Sequence, residues 1–238
     1  MNRLLFLGLV ILLFSRAGAQ KAIINDPNVE KRNIGSFSAI KITDGIDLYL
    51  SQGEENALAV SADDKKYRDR IKTSVQNDVL VISFANDHFR FKPGNKKLVA
   101  YVSFKSINRL SASGASDVYV TGPIKGDELA LRLSGASDFQ GSVQLNKLTI
   151  DQSGASDATI SGKASSLRVD ASGASKMKGY ELETTNCFAK ASGASDIKIT
   201  VHKELTATAS GASSIFYQGS GVIKEVKSSG ASSVNKRS

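Results

Sequence analysis

The tetrapeptide Ser-Gly-Ala-Ser occurs seven times between residues 113 and 232 of this chain. Its copies begin at Ser113, Ser134, Ser153, Ser172, Ser192, Ser210 and Ser229, at intervals of 21, 19, 19, 20, 18 and 19 residues. A nearly constant period of this size is typical of solenoids, in which each repeat is one coil that buries its apolar side against the neighbouring coils. The repeat therefore predicts an elongated stack of similar coils.

Apolar residues recur at fixed distances from each copy of the motif. In the five central copies, the position five residues before the first Ser holds Leu129, Leu148, Leu167, Cys187 and Leu205. In all seven copies, the position three before it holds Leu110, Leu131, Ile150, Val169, Ala189, Ala207 and Val226, and the position five after it holds Val118, Phe139, Ala158, Met177, Ile197, Ile215 and Val234. Polar residues lie between the first two sets, and this period of two indicates strands with one buried face. The pattern predicts two strands per coil, one on each side of the motif, and a buried, unreactive Cys187.

The motif itself is predicted to be a corner between those strands. Its glycine can take a positive φ, its alanine is small where stacked backbones approach, and its serine hydroxyls can bond to neighbouring backbone groups. The structural corner glycines are Gly114, Gly135, Gly154, Gly173, Gly193, Gly211 and Gly230.

The region before the repeats also has a β pattern. Strands are predicted at Phe37 to Ile42, Ile46 to Ser51, Asn56 to Ser61, Ile71 to Gln76, Val79 to Phe84 and Leu98 to Phe104, with a single helical turn in the charged stretch Asp63 to Arg70. We predict an all-β chain in which residues 20–110 form irregular first coils and residues 111–238 form a regular parallel β-solenoid. A separate small β-sandwich at 20–110 is the open alternative.

The first nineteen residues have the pattern of a secretory signal peptide. Arg3 precedes an apolar run from Leu4 to Phe14, and the small residues Ala17-Gly18-Ala19 suit a signal peptidase. The run is shorter than the roughly 20 apolar residues that span a bilayer, and no second long apolar run follows it. The sequence therefore predicts an exported chain with no integral membrane segment after residues 1–19 are cleaved.

The charge distribution does not favour a nucleic-acid partner. The formal net charge is +8, but residues 111–234 hold 12 Lys and Arg against 12 Asp and Glu. Nucleic-acid recognition needs a concentrated basic face, which this balance does not supply.

Several segments together resemble a known family. An opening strand at Phe37 leads to Asp44-Gly45-Ile46-Asp47-Leu48-Tyr49-Leu50, a charged middle section follows, and the repeated SGAS copies end with Ile215-Phe216-Tyr217-Gln218-Gly219 and a final SGASS. This order resembles the head GIN domain family of bacterial auto-transporter adhesins over roughly residues 36–234. The resemblance implies a right-handed parallel β-helix, export, and an adhesin-like role in the periplasm, at the periphery of the outer membrane or outside the cell.

The residue after each motif is the strongest candidate for a binding position. It holds Asp117, Asp138, Asp157, Lys176, Asp196, Ser214 and Ser233. Stacked coils would bring the aspartates into a ladder with a spacing of about 5 Å, where like charges repel unless a cation, a proton or a basic group intervenes. We predict Asp117, Asp138, Asp157 and Asp196 as a candidate binding ladder for a glycan or an envelope component. The alternatives are backbone-capping or solvated carboxylates and a calcium site, although the glycine-rich nonapeptide of calcium-binding β-rolls is not found.

No catalytic, cofactor or metal motif is recognised. His88 and His202 belong to no ligand spacing, and the serines belong to the repeat. The enzyme alternative is a polysaccharide lyase or hydrolase that uses Asp151 and Asp170, with Arg132 and Arg168 nearby; a salt-bridged surface would have the same composition. We predict a non-catalytic protein that binds through its repetitive surface, with a purely structural envelope role as the other possibility, and the oligomeric state is left open.

Overall fold

The structure is a computed structural model that describes residues 26–85 and 97–237 of the 238-residue chain. The predicted signal peptide at residues 1–19 lies outside the described residues. The described part is a parallel β-solenoid of about seven turns, which confirms the predicted fold class.

Eight strands and one helical turn precede the first SGAS motif. They are β1 (Glu30–Arg32), β2 (Ala39–Ile42), β3 (Asp47–Gln52), β4 (Ala57–Ala62), α1 (Lys65–Arg68), β5 (Ile71–Gln76), β6 (Val79–Phe84), β7 (Leu98–Phe104) and β8 (Arg109–Ala112). The predicted strands and the predicted helical turn are confirmed. The turn α1 begins after Asp64, whose carboxylate accepts a hydrogen bond from the backbone N–H of Lys66, as expected of an N-cap.

Between the motifs the chain runs as long strands. They are β9 (Val118–Leu133), β10 (Asp138–Gln152), β11 (Asp157–Ala171), β12 (Lys176–Ala191) and β13 (Asp196–Ala209), followed by the shorter β14 (Ser214–Gln218), β15 (Val222–Ser228) and β16 (Ser233–Lys236). The two strands predicted for each coil are continuous in β9 to β13 and separate in the coil of β14 and β15. They are continuous because hydrogen bonding to the adjacent coil persists through most of the bend between them.

The coils stack to give two faces, which meet at the corners. The post-corner face consists of the segments that follow a corner: β7, β3, the first parts of β9 to β13, β14 and β16. The pre-corner face consists of the segments that lead into a corner: β6, β2, β8, the last parts of β9 to β13, and β15. All neighbours named here are parallel, so equivalent residues of successive coils lie beside one another.

Unequal repeat lengths are absorbed in the bends and not at the corners. Tyr119 pairs with Gln140 at an offset of 21 residues, whereas Pro123 pairs with Ser142 at an offset of 19. The two extra residues of β9 therefore lie just before Pro123, where Gly122 has a φ of 75°. This explains how intervals of 18 to 21 residues leave the motifs superposed.

The N-terminal strands hydrogen-bond directly to the first SGAS coil, but not in chain order. The coil of β2 and β3 lies between the coil of β6 and β7 and the coil of β8 and β9. Antiparallel strands cover the outer side of this stack: β5 pairs with β6, β4 pairs with β7, and β1 pairs with β4. The division of the chain at residue 110 stays a prediction.

The predicted apolar columns form one continuous core. Leu148, Leu167 and Leu205 are at most 1% exposed, and Cys187 in the same column is 5% exposed. Burying one Leu or Ile side chain contributes roughly 1.5 to 3 kcal/mol, so these columns dominate the stability of the stack. The predicted burial of Cys187 is confirmed, and burial raises the pKa of its thiol to about 12.

Candidate binding face

The corners superpose glycine on glycine. All seven motif glycines have a positive φ, between 71° and 83°. A Cβ at Gly154 would lie 2.5 Å from the carbonyl oxygen of Gly135 in the preceding coil, closer than real Cβ contacts allow. This position therefore requires glycine for its backbone conformation and for the close stacking of coils.

The last serine is buried in the first six copies of the motif, and in most of them its hydroxyl bonds to the backbone; Ser156 Oγ is the one with no partner among the described residues. Ser195 Oγ donates to the carbonyl oxygen of Ser192 in its own corner and also contacts that of Ala171 in the preceding coil, at 2.6 and 2.9 Å. Ser213 makes the equivalent contacts with Ser210 and Ala191. These two hydroxyls are engaged within the fold, whereas the glycine and alanine of the same motifs are exposed.

The predicted aspartate column begins the strands of the post-corner face. Asp138 pairs with Asp157, Asp157 with Lys176, and Lys176 with Asp196 in the sheet register. The structure thus brings Asp117, Asp138 and Asp157 together, while Lys176 separates Asp196 from them. Lys178 Nζ also lies 3.2 Å from a carboxylate oxygen of Asp157 and offsets its charge.

Two carboxylates of the column cap the backbone of the next coil. Asp117 Oδ1 accepts from the N–H of Asp138, and Asp138 Oδ1 accepts from the N–H of Asp157, each at 3.2 Å. Each of these bonds uses a single carboxylate oxygen. The backbone-capping alternative considered from the sequence therefore applies to Asp117 and Asp138.

Asp47 is a further member of the column, which the sequence analysis did not identify. Leu48 pairs with Val118, so Asp47 lies beside Asp117 at the start of the ladder. Burial, and then repulsion by Asp117, raises the pKa of Asp47; burial also raises the pKa of Asp138, with further repulsion from Asp117 and Asp157. The sequence signal for Asp47 is the four-residue corner before it, Thr43-Asp44-Gly45-Ile46. This corner stands before Asp47 as the first SGAS motif stands before Asp117, although its glycine is the third residue and not the second.

Three tyrosines stack across neighbouring strands beside these aspartates. Tyr49 pairs in register with Tyr101 on one side and Tyr119 on the other, with ring centroids 5.4 and 5.2 Å apart. Tyr49 and Tyr119 each come two residues after an aspartate of the column, so both side chains share its outward side. Burial, followed by the nearby Asp117 and Asp47, raises the pKa of Tyr119.

These side chains form what we call the acidic–tyrosine patch, composed of Asp47, Asp117, Asp138, Tyr49, Tyr101 and Tyr119. The repeated Asp-x-Tyr at Asp47 and Asp117 is the sequence signal for it. Aromatic rings, carboxylates and phenol hydroxyls together can contact both the apolar and the hydroxyl-bearing sides of a ligand.

The residues of the enzyme alternative lie on the pre-corner face in separate contacts. Arg132 Nε is 3.3 Å from a carboxylate oxygen of Asp151, and Lys190 Nζ is 3.4 Å from one of Asp170. The Arg168 guanidinium instead lies 4.4 Å from the centre of the Phe188 ring. Each carboxylate thus has a cation from a neighbouring coil, an arrangement of surface ion pairs that contribute about 0 to 1 kcal/mol each.

The profile of a known family matches residues 36–221 of this chain, and its description reads "Putative auto-transporter adhesin, head GIN domain". The chain belongs to this family. The match extends from the start of the N-terminal coils to the bend before β15, so this head GIN domain includes the whole acidic–tyrosine patch. No curated protein is similar enough to be matched.

Solved structures share the fold of this head GIN domain. A "putative adhesin" from Bacteroides fragilis has a TM-score of 0.79 and 21% identity, over 88% of this chain and 96% of that one. A "putative adhesin" from Parabacteroides distasonis has a TM-score of 0.70 and 19% identity, over 88% and 96%. A "putative lipid binding protein" from Parabacteroides distasonis has a TM-score of 0.66 and 18% identity, over 89% and 97%.

The part of the chain that the structure describes has neither a cluster of metal-ligating side chains nor a helix that could span a membrane. In residues 26–85 and 97–237, no three His, Cys, Asp or Glu side chains come together as a set that could hold a metal ion. Among the helices of the same residues, none has the length and apolar character needed to cross a membrane.

Proposed function

We propose that this head GIN domain is an exported, adhesin-like protein that binds a glycan of the bacterial envelope through the acidic–tyrosine patch, without catalysis. The observation that carries the proposal is the stack of Tyr101, Tyr49 and Tyr119 beside Asp47 and Asp117. The family description supports an adhesin role, and the predicted signal peptide supports residence in the periplasm, at the outer-membrane periphery or outside the cell.

The chemistry of the patch suits a sugar. Carboxylates accept charge-assisted hydrogen bonds from hydroxyl groups, and aromatic side chains offer apolar contact for the C–H groups of a sugar ring. The raised pKa values of Asp47 and Asp138 come mainly from burial, with neighbouring carboxylates adding to them. Hydroxyl donors from a ligand would offset both effects, because they replace lost water and stabilise the ionised form.

The main rival is a purely structural role, in which the aspartates only cap the next coil. Asparagine separates the two, because its side-chain oxygen can still accept from the backbone N–H while the charge is removed. The variant Asp117→Asn/Asp138→Asn therefore preserves the caps, and Tyr119→Ala removes the outermost ring of the stack. Asp196→Asn is the matched control, since this aspartate lies beyond Lys176 in the same column.

The experiment is a glycan array probed with the purified protein, followed by titration of the best ligand. We expect the double asparagine variant and Tyr119→Ala each to weaken binding by about tenfold or more, with Asp196→Asn unchanged. Unchanged binding by the patch variants would reject the patch as the site. If no glycan binds, the glycan part of the proposal fails, and cell fractionation tests the compartment independently.

A further inference from the structure

The last described coil of the solenoid ends in a strand with an unpaired edge. In the described part of the chain, β15 pairs with β13 and with no strand on its other side, and β16 pairs only with β14. All seven residues of β15 are exposed. Four large apolar or aromatic side chains are exposed in the described residues, and three of them, Val222, Ile223 and Val226, belong to this strand.

This end is built like the interior coils. Ile223 pairs with Leu205 and Val226 pairs with Ala207, so both continue columns that are buried in the coil beneath. The last corner is also complete, because Ser232 Oγ lies 2.8 Å from the carbonyl oxygen of Ser229 and 2.9 Å from that of Ala209. The C-terminal end of the described residues therefore has the structure of an interior coil, but the apolar side chains that continue the core columns are exposed there.

The opposite end carries additional antiparallel strands, and its outer edges among the described strands are β5 and β1. Its outermost parallel strands are covered by β5 on one face and by β4 and β1 on the other. The outermost strand β1 has the sequence Glu30-Lys31-Arg32, and Arg32 and Glu30 form an ion pair at 3.2 Å. Charged edge strands of this kind resist pairing with another chain, so the two ends are not equivalent.

We propose that the open end binds the open end of a second copy of this chain, with β15 antiparallel to its counterpart about a two-fold axis. A partner must present apolar side chains at the spacing of this cross-section, and a second copy does so by construction. Closed two-fold contacts of this type use the same surface on both subunits.

The pattern of β15 is self-complementary about a point between Lys224 and Glu225. Antiparallel pairing about that point sets Lys224 opposite Glu225 of the other copy and Ile223 opposite Val226. The register with β13 places Ile223 and Val226 on the inner side of the strand, so both apolar pairs would lie in the joined core. Charge and apolar character therefore match at these four central positions, and Val222 comes opposite Lys227 of the other copy.

The other charged residues of this end predict opposite salt dependences for a dimer and for binding to an anionic partner. Besides Lys224 and Glu225, the last two strands carry Lys227 and Lys236, and Arg237 follows them. Two copies would bring these cations together, so salt that screens their repulsion strengthens the dimer. An anionic membrane or an acidic peptide at this end would instead bind more weakly as salt is added.

The first experiment measures the mass of the purified protein by sedimentation equilibrium over a range of concentrations, at low and high NaCl. We expect a monomer–dimer equilibrium that is tighter at high salt. Val226→Lys should weaken the dimer by about tenfold or more, while the control Gln144→Lys, at an exposed position within β10, should not. A monomer under all conditions, or an unaffected Val226→Lys protein, would overturn the proposal.

The second experiment tests the register by exchanging charges. Lys224→Glu alone and Glu225→Lys alone each set like charges opposite one another and should weaken the dimer. Within one copy Lys224 also pairs with Glu204, and Glu225 pairs with Lys227. The double exchange is therefore made in a Glu204→Lys/Lys227→Glu background, which keeps both pairs, and should restore the dimer towards the parent value. Circular dichroism checks that each variant folds. A double variant no better than the singles would refute the two-fold register. Salt-sensitive binding to phosphatidylglycerol vesicles without a dimer would identify a lipid surface as the occupant and reject the second copy.

Discussion

The same apolar column of the solenoid contains one valine that is buried and another that is exposed. Val169 in β11 is 0% exposed, and Val226 in β15, at the equivalent repeat position, is 41% exposed. The difference is the number of neighbouring coils: β11 pairs with β10 and β12, while β15 pairs with β13 alone among the described strands. The position in the repeat therefore determines which side of the strand a residue lies on, but the residue is buried only when a further coil packs against it.

This comparison agrees with how solenoids are stabilised. Each coil contacts only its neighbours, so the stability of the stack is close to a sum over coils and the interfaces between them. Identical substitutions at equivalent positions of a central and a terminal coil should then have different costs. Paired variants of this kind are the direct way to test or refine the comparison.

The largest expected difference is at the corners. Gly154→Ala places a Cβ 2.5 Å from the carbonyl oxygen of Gly135 and also imposes a φ near 76° on alanine. We expect a loss of about 3 kcal/mol or more in the free energy of unfolding, from the left-handed conformation and the displaced backbone together. Gly230→Ala shares the conformational cost, but its coil can shift outward, so we expect about 1 to 2 kcal/mol. Urea unfolding measures both, and equal losses would contradict the role of the neighbouring coil.

The two valines provide the next test. Val169→Ala removes two buried methyl groups and leaves a cavity, which should cost about 2 kcal/mol. Val226→Ala removes the same atoms from an exposed site and should cost less than about 0.5 kcal/mol when the protein is monomeric. Thermal unfolding at low protein concentration checks this pair. A large loss for Val226→Ala would mean that something covers β15 under those conditions.

The regular part of the fold could be predicted from the sequence because its physics is local and periodic. The alternation around Leu148 and Ile150 fixes which side of the strand is buried, and the repeat interval fixes which coils are neighbours. The corner position followed from Gly154 and its equivalents for the same reason. Each of these inferences needs only residues within one or two repeats.

The candidate site could be predicted only in part, because half of it comes from the irregular coils. Asp117 and Asp138 follow the motif directly, whereas Asp47 and Tyr49 reach them only because the coil of β2 and β3 inserts between strands that come later in the chain. That pairing joins residues about 70 positions apart, and no periodic pattern in the sequence indicates it. Tyr101 enters the stack in the same way, from the other side of β3.

A third test uses the thiol column. Cys187 and Ile223 hold equivalent positions, one buried and one 47% exposed. We expect Cys187 to resist a thiol reagent in the folded protein, since burial raises its pKa to about 12. In an Ile223→Cys/Cys187→Ala variant, the new thiol should react at least about a hundredfold faster under monomeric conditions. Equal rates would show that the central coils open as readily as the last one.

The titration of Cys187 also predicts a change in stability at high pH. The folded thiol keeps its proton to about pH 12, whereas the unfolded thiol loses it above 9.0, so the unfolded state gains stability as the pH rises through that interval. The expected loss is roughly 1 kcal/mol per pH unit above 9. The Cys187→Ala protein lacks this contribution and is the reference, and parallel pH curves for the two proteins would contradict the assignment.

The smallest effect concerns the outward column, where the neighbours differ in charge. Asp138 lies between Asp117 and Asp157, and Asp196 lies between Lys176 and Ser214. Because burial raises the pKa of Asp138 in the folded state, its ionisation opposes folding at neutral pH, and the penalty is lost as the pH falls below 3.8, where the folded and unfolded states both become protonated. Asp138 is exposed and solvent screens its charge, so Asp138→Asn should stabilise the protein by no more than about 0.5 kcal/mol at pH 7 and by almost nothing at pH 3. Asp196→Asn, whose neighbour in register is Lys176, should give no gain. If both variants changed stability alike, the aspartate column would be a set of independent caps, and the mutual repulsion that a ligand could relieve would not exist.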